Sequence, residues 1–138
     1  MREAILARHG ESELSVRRVI NGDPAARCAL TEAGRAQARR LGALIANDTI
    51  ELCITSEFER AKETADLALD GVDVPRMVMP DLNDITVGEF EGGVLEAFRA
   101  WISEHGLAAV PPGGGESRAQ TAMRYARGFR RIAGRPGT

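Results

Sequence analysis

The chain has 138 residues, is 43% hydrophobic and 28% charged, and carries a net charge of −2. That length predicts one domain over residues 1–138, and the near-neutral balance excludes a global pull toward nucleic acid or an anionic membrane. Cys28 and Cys53 are too few for a disulfide framework, no apolar run approaches the ~20 residues of a membrane span, and no apolar leader precedes the first motif, so a cytoplasmic protein is expected.

"EAILA", residues 3–7, is a short apolar run that predicts a buried strand ending at Arg8-His9-Gly10. Residues 13–29 contain the turn signal "NGDP" and read as a loop with a helical turn before it. "LTEAGRAQARRLGALIA" predicts a helix. Thr31 is its N-cap, and Ala33, Ala36, Leu41, Leu44 and Ile45 form an apolar stripe. "ELCITS", residues 51–56, is a second strand, and Ser56 is positioned to cap the helix "EFERAKETADLAL". "RMVMP", residues 76–80, is a third strand, and "DLNDITVGEFEGG" reads as loop. "VLEAFRAWISEH" is a helix stopped by Gly106, "PPGGGES" is a loop, and Ser117 opens a last helix, "RAQTAMRYARGFRRIA". Strands alternating with helices predict an α/β fold with a mostly parallel sheet. The sequence stops at "GRPGT", directly after a helix, where the alternation calls for another strand. The expectation is a domain truncated at its C-terminus.

A parallel strand that ends in Arg-His delivers both side chains to the carboxyl edge of the sheet, where ligands bind in open α/β folds. Neutral imidazole is a nucleophile, and arginine is a permanently charged fork for phosphate oxygens. A neighbouring cation also lowers the imidazole pKa and favours the nucleophilic form. The pair therefore suits the acceptance of a phosphoryl group; a surface histidine at a strand end is the plainer alternative. From Arg118 onward there are six arginines and no Asp or Glu, a pattern open to a solvated face or a nucleic-acid contact.

Five segments in order carry a resemblance: "RHGES", "ALTEAGRAQARRLG", "TSEFERAKETADLAL", "LNDITVGEFEG" and "GGGES". Together they resemble the histidine phosphatase superfamily, in its phosphoglycerate mutase-like branch. The resemblance implies a three-layer α/β/α fold with a mostly parallel sheet. It implies that His9 attacks phosphorus and forms a phosphohistidine, and that Arg8 and Arg60 bind the phosphoryl oxygens. Asp84 stands where the family usually has a glutamate that protonates the leaving oxygen. Ser15 stands where the family commonly has a phosphate-holding asparagine, and its hydroxyl can donate one hydrogen bond. The alternative for Arg60 is an ion pair with Glu57 or Glu63, and for Asp84 a turn cap in "NDIT". Glu89 and Glu91 are read as residues of the pocket rim.

The family's second histidine lies on a later strand, and nothing after Ser117 supplies one. His105-Gly106 is no substitute, because it precedes "GGGES" and reads as a helix C-terminus. The implied activity is phosphomonoester hydrolysis of a small phosphorylated substrate, impaired by truncation. The alternatives are a phosphoglycerate-mutase-type phosphotransferase and a non-catalytic phosphate-binding domain. Neither a metal nor an organic cofactor is implied. No nucleic acid or membrane partner is expected. An open sheet edge along residues 3–7 is expected to favour self-association.

Overall fold

The computed structural model describes residues 3–135. Its sheet consists of two parallel strands, β1 (Cys53–Thr55) and β2 (Arg76–Val78), with Cys53 opposite Arg76 and Thr55 opposite Val78. Parallel neighbours need a crossover, and α3 (Glu59–Ala68) supplies it. Both strands are shorter than their apolar runs, and Met79 extends the pairing by one bond from its N–H to the Thr55 carbonyl, 2.8 Å.

Helix α2 (Glu32–Leu44) starts where its cap demands: the Thr31 hydroxyl accepts from the Gly34 N–H at 3.0 Å. It packs along α3 through small residues. A Cβ on Gly42 would sit 2.4 Å from the Ala68 carbonyl oxygen, so the helix backbones meet where no side chain fits. Before α2 comes a single helical turn, α1 (Glu13–Val16).

A compact apolar cluster lies under α4 (Leu95–His105): Ile20, Val87, Phe98 and Ile102 are buried, with Phe90 and Trp101 packed against them. The Phe90 and Phe98 rings stand 5.4 Å apart and tilted, a favourable aromatic geometry. Gly106, at φ +88°, ends α4 as the sequence expects. Two 3-10 turns, Pro80–Leu82 and Gly88–Phe90, shape the segment read as plain loop.

Helix α5 (Arg118–Ala133) has the bounds read from sequence. Its entry is a capping box, in which Ser117 accepts from the Gln120 N–H and Gln120 accepts from the Ser117 N–H. Its arginines are mostly exposed but reach back to the chain. Arg127 and Arg131 hold the buried Asp81 carboxylate at 3.0 and 2.8 Å, and Arg127 first, then Arg131, keeps that carboxyl below its usual range. Among the described residues no helix is long and apolar enough to cross a membrane.

Two expectations need correction. Residues 3–7 pair with no strand among the described residues, and they are exposed, Ile5 at 46% and Leu6 at 75%. A five-residue apolar run becomes a buried strand only where a neighbour covers it, and here none does. Ser56 does not cap α3. Phe58 is the N-cap residue, and its ring offers no acceptor for a cap bond; just before it, the Asn83 Oδ1 accepts from the Glu57 N–H at 2.9 Å. The last three residues of "GRPGT" lie outside the described residues.

The α2–α3 contact predicts that Gly42→Ala destabilises the chain by about 1–3 kcal/mol, the cost of overpacking. Gly134→Ala, whose added Cβ would meet only the Arg130 oxygen at 3.4 Å, serves as the control. Urea unfolding of both variants checks it; equal midpoints would show that the helices separate freely.

Candidate active site

The "RHGES" loop is held in place by the segments that follow it. Gly10 and Gly34 touch backbone to backbone: a Cβ on Gly10 would lie 2.4 Å from the Gly34 oxygen, and one on Gly34 would lie 2.0 Å from the Glu11 oxygen. Only glycine at both places lets the loop seat on the first turn of α2. Glu11 is then gripped from both directions. Its N–H donates to Gln37 Oε1 at 2.8 Å, its carbonyl accepts from the Thr31 N–H at 2.9 Å, and its carboxylate accepts from the Thr31 hydroxyl at 2.7 Å. On the other side the Gly10 N–H donates to Thr64 Oγ1 at 3.0 Å, and that hydroxyl donates to the Arg60 carbonyl one turn earlier at 2.7 Å.

This seating aims His9. Its Nδ1 lies 2.7 Å from the Gly10 carbonyl oxygen, which can only accept, so Nδ1 carries the proton. Nε2 is left with its lone pair, and the Arg60 Nε–H donates to it at 3.1 Å. Burial lowers the His9 pKa below its ordinary value. The Gly10 bond and the Asp84 charge push the other way, while the Arg60 and Arg8 cations add to the lowering. The net result is a neutral imidazole with a free-electron-pair nitrogen beside a guanidinium.

Arg60 sits in the first turn of α3, five residues beyond the carboxyl end of β1, and is only 6% exposed. It does not pair with Glu57 or Glu63, the alternatives open from sequence. Its Nη1 donates to Asn21 Oδ1, its Nη2 donates to the Asn21 carbonyl at 3.3 Å and reaches Asp84 Oδ2 at 3.4 Å, and its plane lies 4.1 Å over the Phe58 ring. Burial draws the guanidinium below its ordinary pKa, and Asp84 opposes this.

The structure thus brings His9, Arg60 and Asp84 into one connected group. Asp84 Oδ1 accepts from the Ile85 N–H at 2.8 Å, and Oδ2 faces Arg60. Arg8 is exposed beside His9 and carries no salt bridge among the described residues. Ser15 is engaged elsewhere. Its hydroxyl donates to the Ser12 carbonyl at 2.8 Å and accepts from the Ser12 N–H at 2.9 Å, completing the cap of α1. Glu91 accepts from the Gly22 N–H at 2.8 Å and fixes the strand of loop that carries Asn21. His105 stacks on Trp101 at 4.6 Å and bonds the Trp101 carbonyl, at the end of α4. An open cleft of about 600 Å³, lined by Gly22, Asn83, Asp84, Gly115, Gln120 and Arg124, adjoins the Asp84 carboxylate. Among the described residues no cluster of three or more His, Cys, Asp or Glu could hold a metal ion.

Two contributors carried no role in the sequence reading. Asn21 belonged to a turn signal, yet its side chain is buried against Arg60. Thr64 stood inside a quoted motif, and its spacing of one helical turn from Arg60 is the signal that would have found it.

The fold and this cluster define a class: α/β proteins in which an imidazole and a buried guanidinium meet beyond the carboxyl end of a parallel strand. The chain belongs to the histidine phosphatase superfamily (branch 1), whose family profile matches residues 4–138. It is 36% identical over 117 residues to the adenosylcobalamin/alpha-ribazole phosphatase of Salmonella typhimurium, a match covering 79% of this chain and 56% of that one. It is 34% identical over 136 residues to the 2,3-bisphosphoglycerate-dependent phosphoglycerate mutase of a Methylobacterium species, covering 87% and 62%. Among solved structures, YhfR of Bacillus stearothermophilus superposes with a TM-score of 0.81 at 29% identity, over 94% of this chain and 66% of that one. The alpha-ribazole phosphatase of Shigella flexneri gives 0.78 at 29% identity, over 91% and 64%. The chain spans little more than half the length of the first of these curated relatives.

The environment of His9 predicts an NMR titration midpoint below the ordinary value of about 6.5. The linked stability has a definite sign. The folded imidazole binds protons less readily than the unfolded one, so its contribution is full above about pH 6.5 and is lost as pH falls toward the folded midpoint. His9→Gln should flatten that part of a plot of unfolding free energy against pH. A midpoint at or above the ordinary value would contradict the buried, cation-flanked imidazole.

Proposed function

We propose that this site is that of a phosphomonoester hydrolase working through a phosphohistidine on a small phosphorylated substrate. The observation that carries the reading is the Arg60 guanidinium. It donates to the electron-pair nitrogen of His9 and reaches the Asp84 carboxylate with another N–H. Nucleophile, anion holder and acid candidate thus share one rigid, planar group. The names of the relatives, two of them phosphatases, support the same class.

In this reading the phosphoryl group enters between His9 and the two arginines. Its oxygens take over the Arg60 N–H that now bonds Nε2, and the exposed Arg8 provides a second cation. Nε2 attacks phosphorus as the P–O bond to the leaving group breaks. The leaving oxygen takes a proton from the Asp84 carboxyl, because an alkoxide departs poorly. Charge on the equatorial oxygens is met by the buried Arg60 guanidinium, already held in place, with the exposed Arg8 as a second cation. A water, deprotonated by the Asp84 carboxylate, then attacks the phosphohistidine. The N–P bond breaks, the pair returns to Nε2, and phosphate leaves. Ser15 has no part in this scheme, since its hydroxyl closes the cap of α1.

His9→Ala should abolish both turnover of p-nitrophenyl phosphate and the incorporation of acid-labile, alkali-stable phosphate. Arg60→Ala should weaken vanadate binding by about 1.5–3 kcal/mol, the value of a charged hydrogen bond. Asp84→Asn should slow formation of the phosphohistidine from an alkyl phosphate at least about 100-fold while hardly affecting its formation from p-nitrophenyl phosphate, whose phenolate leaves unprotonated. Vanadate binding with no turnover of either ester would replace the hydrolase reading by that of a phosphate-binding domain.

A further inference from the structure

We propose that Arg124, gripped by Glu116, is a positioning residue for the Asp84 carboxyl; the idea rests on the acid role given to Asp84 above. Arg124 lies in the second turn of α5, and every one of its five N–H groups has a protein acceptor. Nε donates to Glu116 Oε1 at 2.9 Å. Nη1 donates to the carbonyls of Asp81 and Asn83 at 2.9 and 2.7 Å. Nη2 donates to the Asp84 carbonyl at 3.3 Å and to Glu116 Oε2 at 2.6 Å. One planar fork thus holds three backbone carbonyls of the four-residue stretch that ends in Asp84.

Glu116 completes the device. Its carboxylate takes two of the Arg124 donors and the Thr121 hydroxyl, and its own N–H donates to the Thr86 carbonyl at 2.7 Å. The opposite flank is fastened by Asn83, which exchanges hydrogen bonds with Glu57 at 2.6 and 2.9 Å. The "GGGES" loop and α5 are thereby joined to the loop that carries the acid. The Asp84 side chain itself is 55% exposed, and among the described residues only the Ile85 N–H and Arg60 orient it. Its position is inherited from its backbone, and the backbone is set by Arg124.

Arg124 lines the cleft beside Asp84. With all five donors engaged it has none left for a substrate, so its effect passes through Asp84. Lysine at this position would keep the charge but could not span two sides of a plane, having three donors on one nitrogen.

The test uses the full chain with Arg124→Gln, and with Arg124→Lys and Glu116→Gln in case the first fails to fold. Hydrogen exchange at the Ile85 amide reads the Asp84 carboxylate directly, since Oδ1 is its acceptor. That exchange should quicken about tenfold or more on loss of the charged bonds, while the amides of α3 keep their protection. The rate of phosphohistidine formation should fall at least about tenfold with an alkyl phosphate and much less with p-nitrophenyl phosphate, and the loss should vanish in an Asp84→Asn background. Arg124→Lys should recover part of both effects. Unchanged Ile85 exchange would overturn the proposal, as would equal slowing of both esters with or without Asp84. If the unsubstituted chain turns over neither ester, the hydrolase reading fails, and Ile85 exchange alone then decides whether Arg124 sets the carboxylate.

Discussion

A guanidinium on a residue only 6% exposed must find its partners inside the protein, and that requirement on Arg60 organises this structure. Stripping a cation of water is costly unless hydrogen bonds replace the lost ones. The replacements come from places far apart in the chain: the imidazole of His9, the side chain and carbonyl of Asn21, and the carboxylate of Asp84. Each partner then needs support of its own. Thr64 and the glycine contact with α2 hold the His9 loop, Glu91 holds Gly22, and the carbonyls before Asp84 lie on Arg124. The conformational entropy lost in gathering four segments is offset because one buried charge satisfies them together.

The elements with local causes were legible in the sequence. Helix α5 could be read to its end residues because its capping box is written in four consecutive letters, Ser117 to Gln120, and a glycine follows its last turn. Helix α2 was legible through Thr31, and α4 through Gly106. What failed depended on partners elsewhere. The run of residues 3–7 has strand composition, but a strand is a relation between two segments, and composition names only one of them. Ser56 is a sound cap residue, yet α3 is entered at Phe58, and Asn83, 27 residues away from Ser56, takes the backbone between them.

The site divides along the same line. His9, Arg60 and Asp84 are chemically conspicuous, and their motifs mark them. Asn21 is not conspicuous, since Asn-Gly is a turn signal anywhere; only the burial of Arg60 makes its amide oxygen necessary. Ser15 was read by position within a motif, and local geometry claimed its hydroxyl first. The arginines of α5 show how a charge run misleads when counted without its surroundings. Arg124, Arg127 and Arg131 look like a basic face in one dimension, yet all three find carboxylates or carbonyls of residues 81–84 and 116.

The exposed stretch of residues 3–7 bears on register. Elsewhere in an α/β sheet a buried face selects which side chains point inward, and a slip of one residue would turn the apolar set outward. Among the described residues no strand pairs with this arm and its side chains are exposed, so the arm itself prefers neither parity. The arm runs into a fixed point at Gly10, clasped by Gly34 and Thr64. Counting from that clasp outward, any strand laid along the arm would take its alignment from the far end, one residue beyond the imidazole.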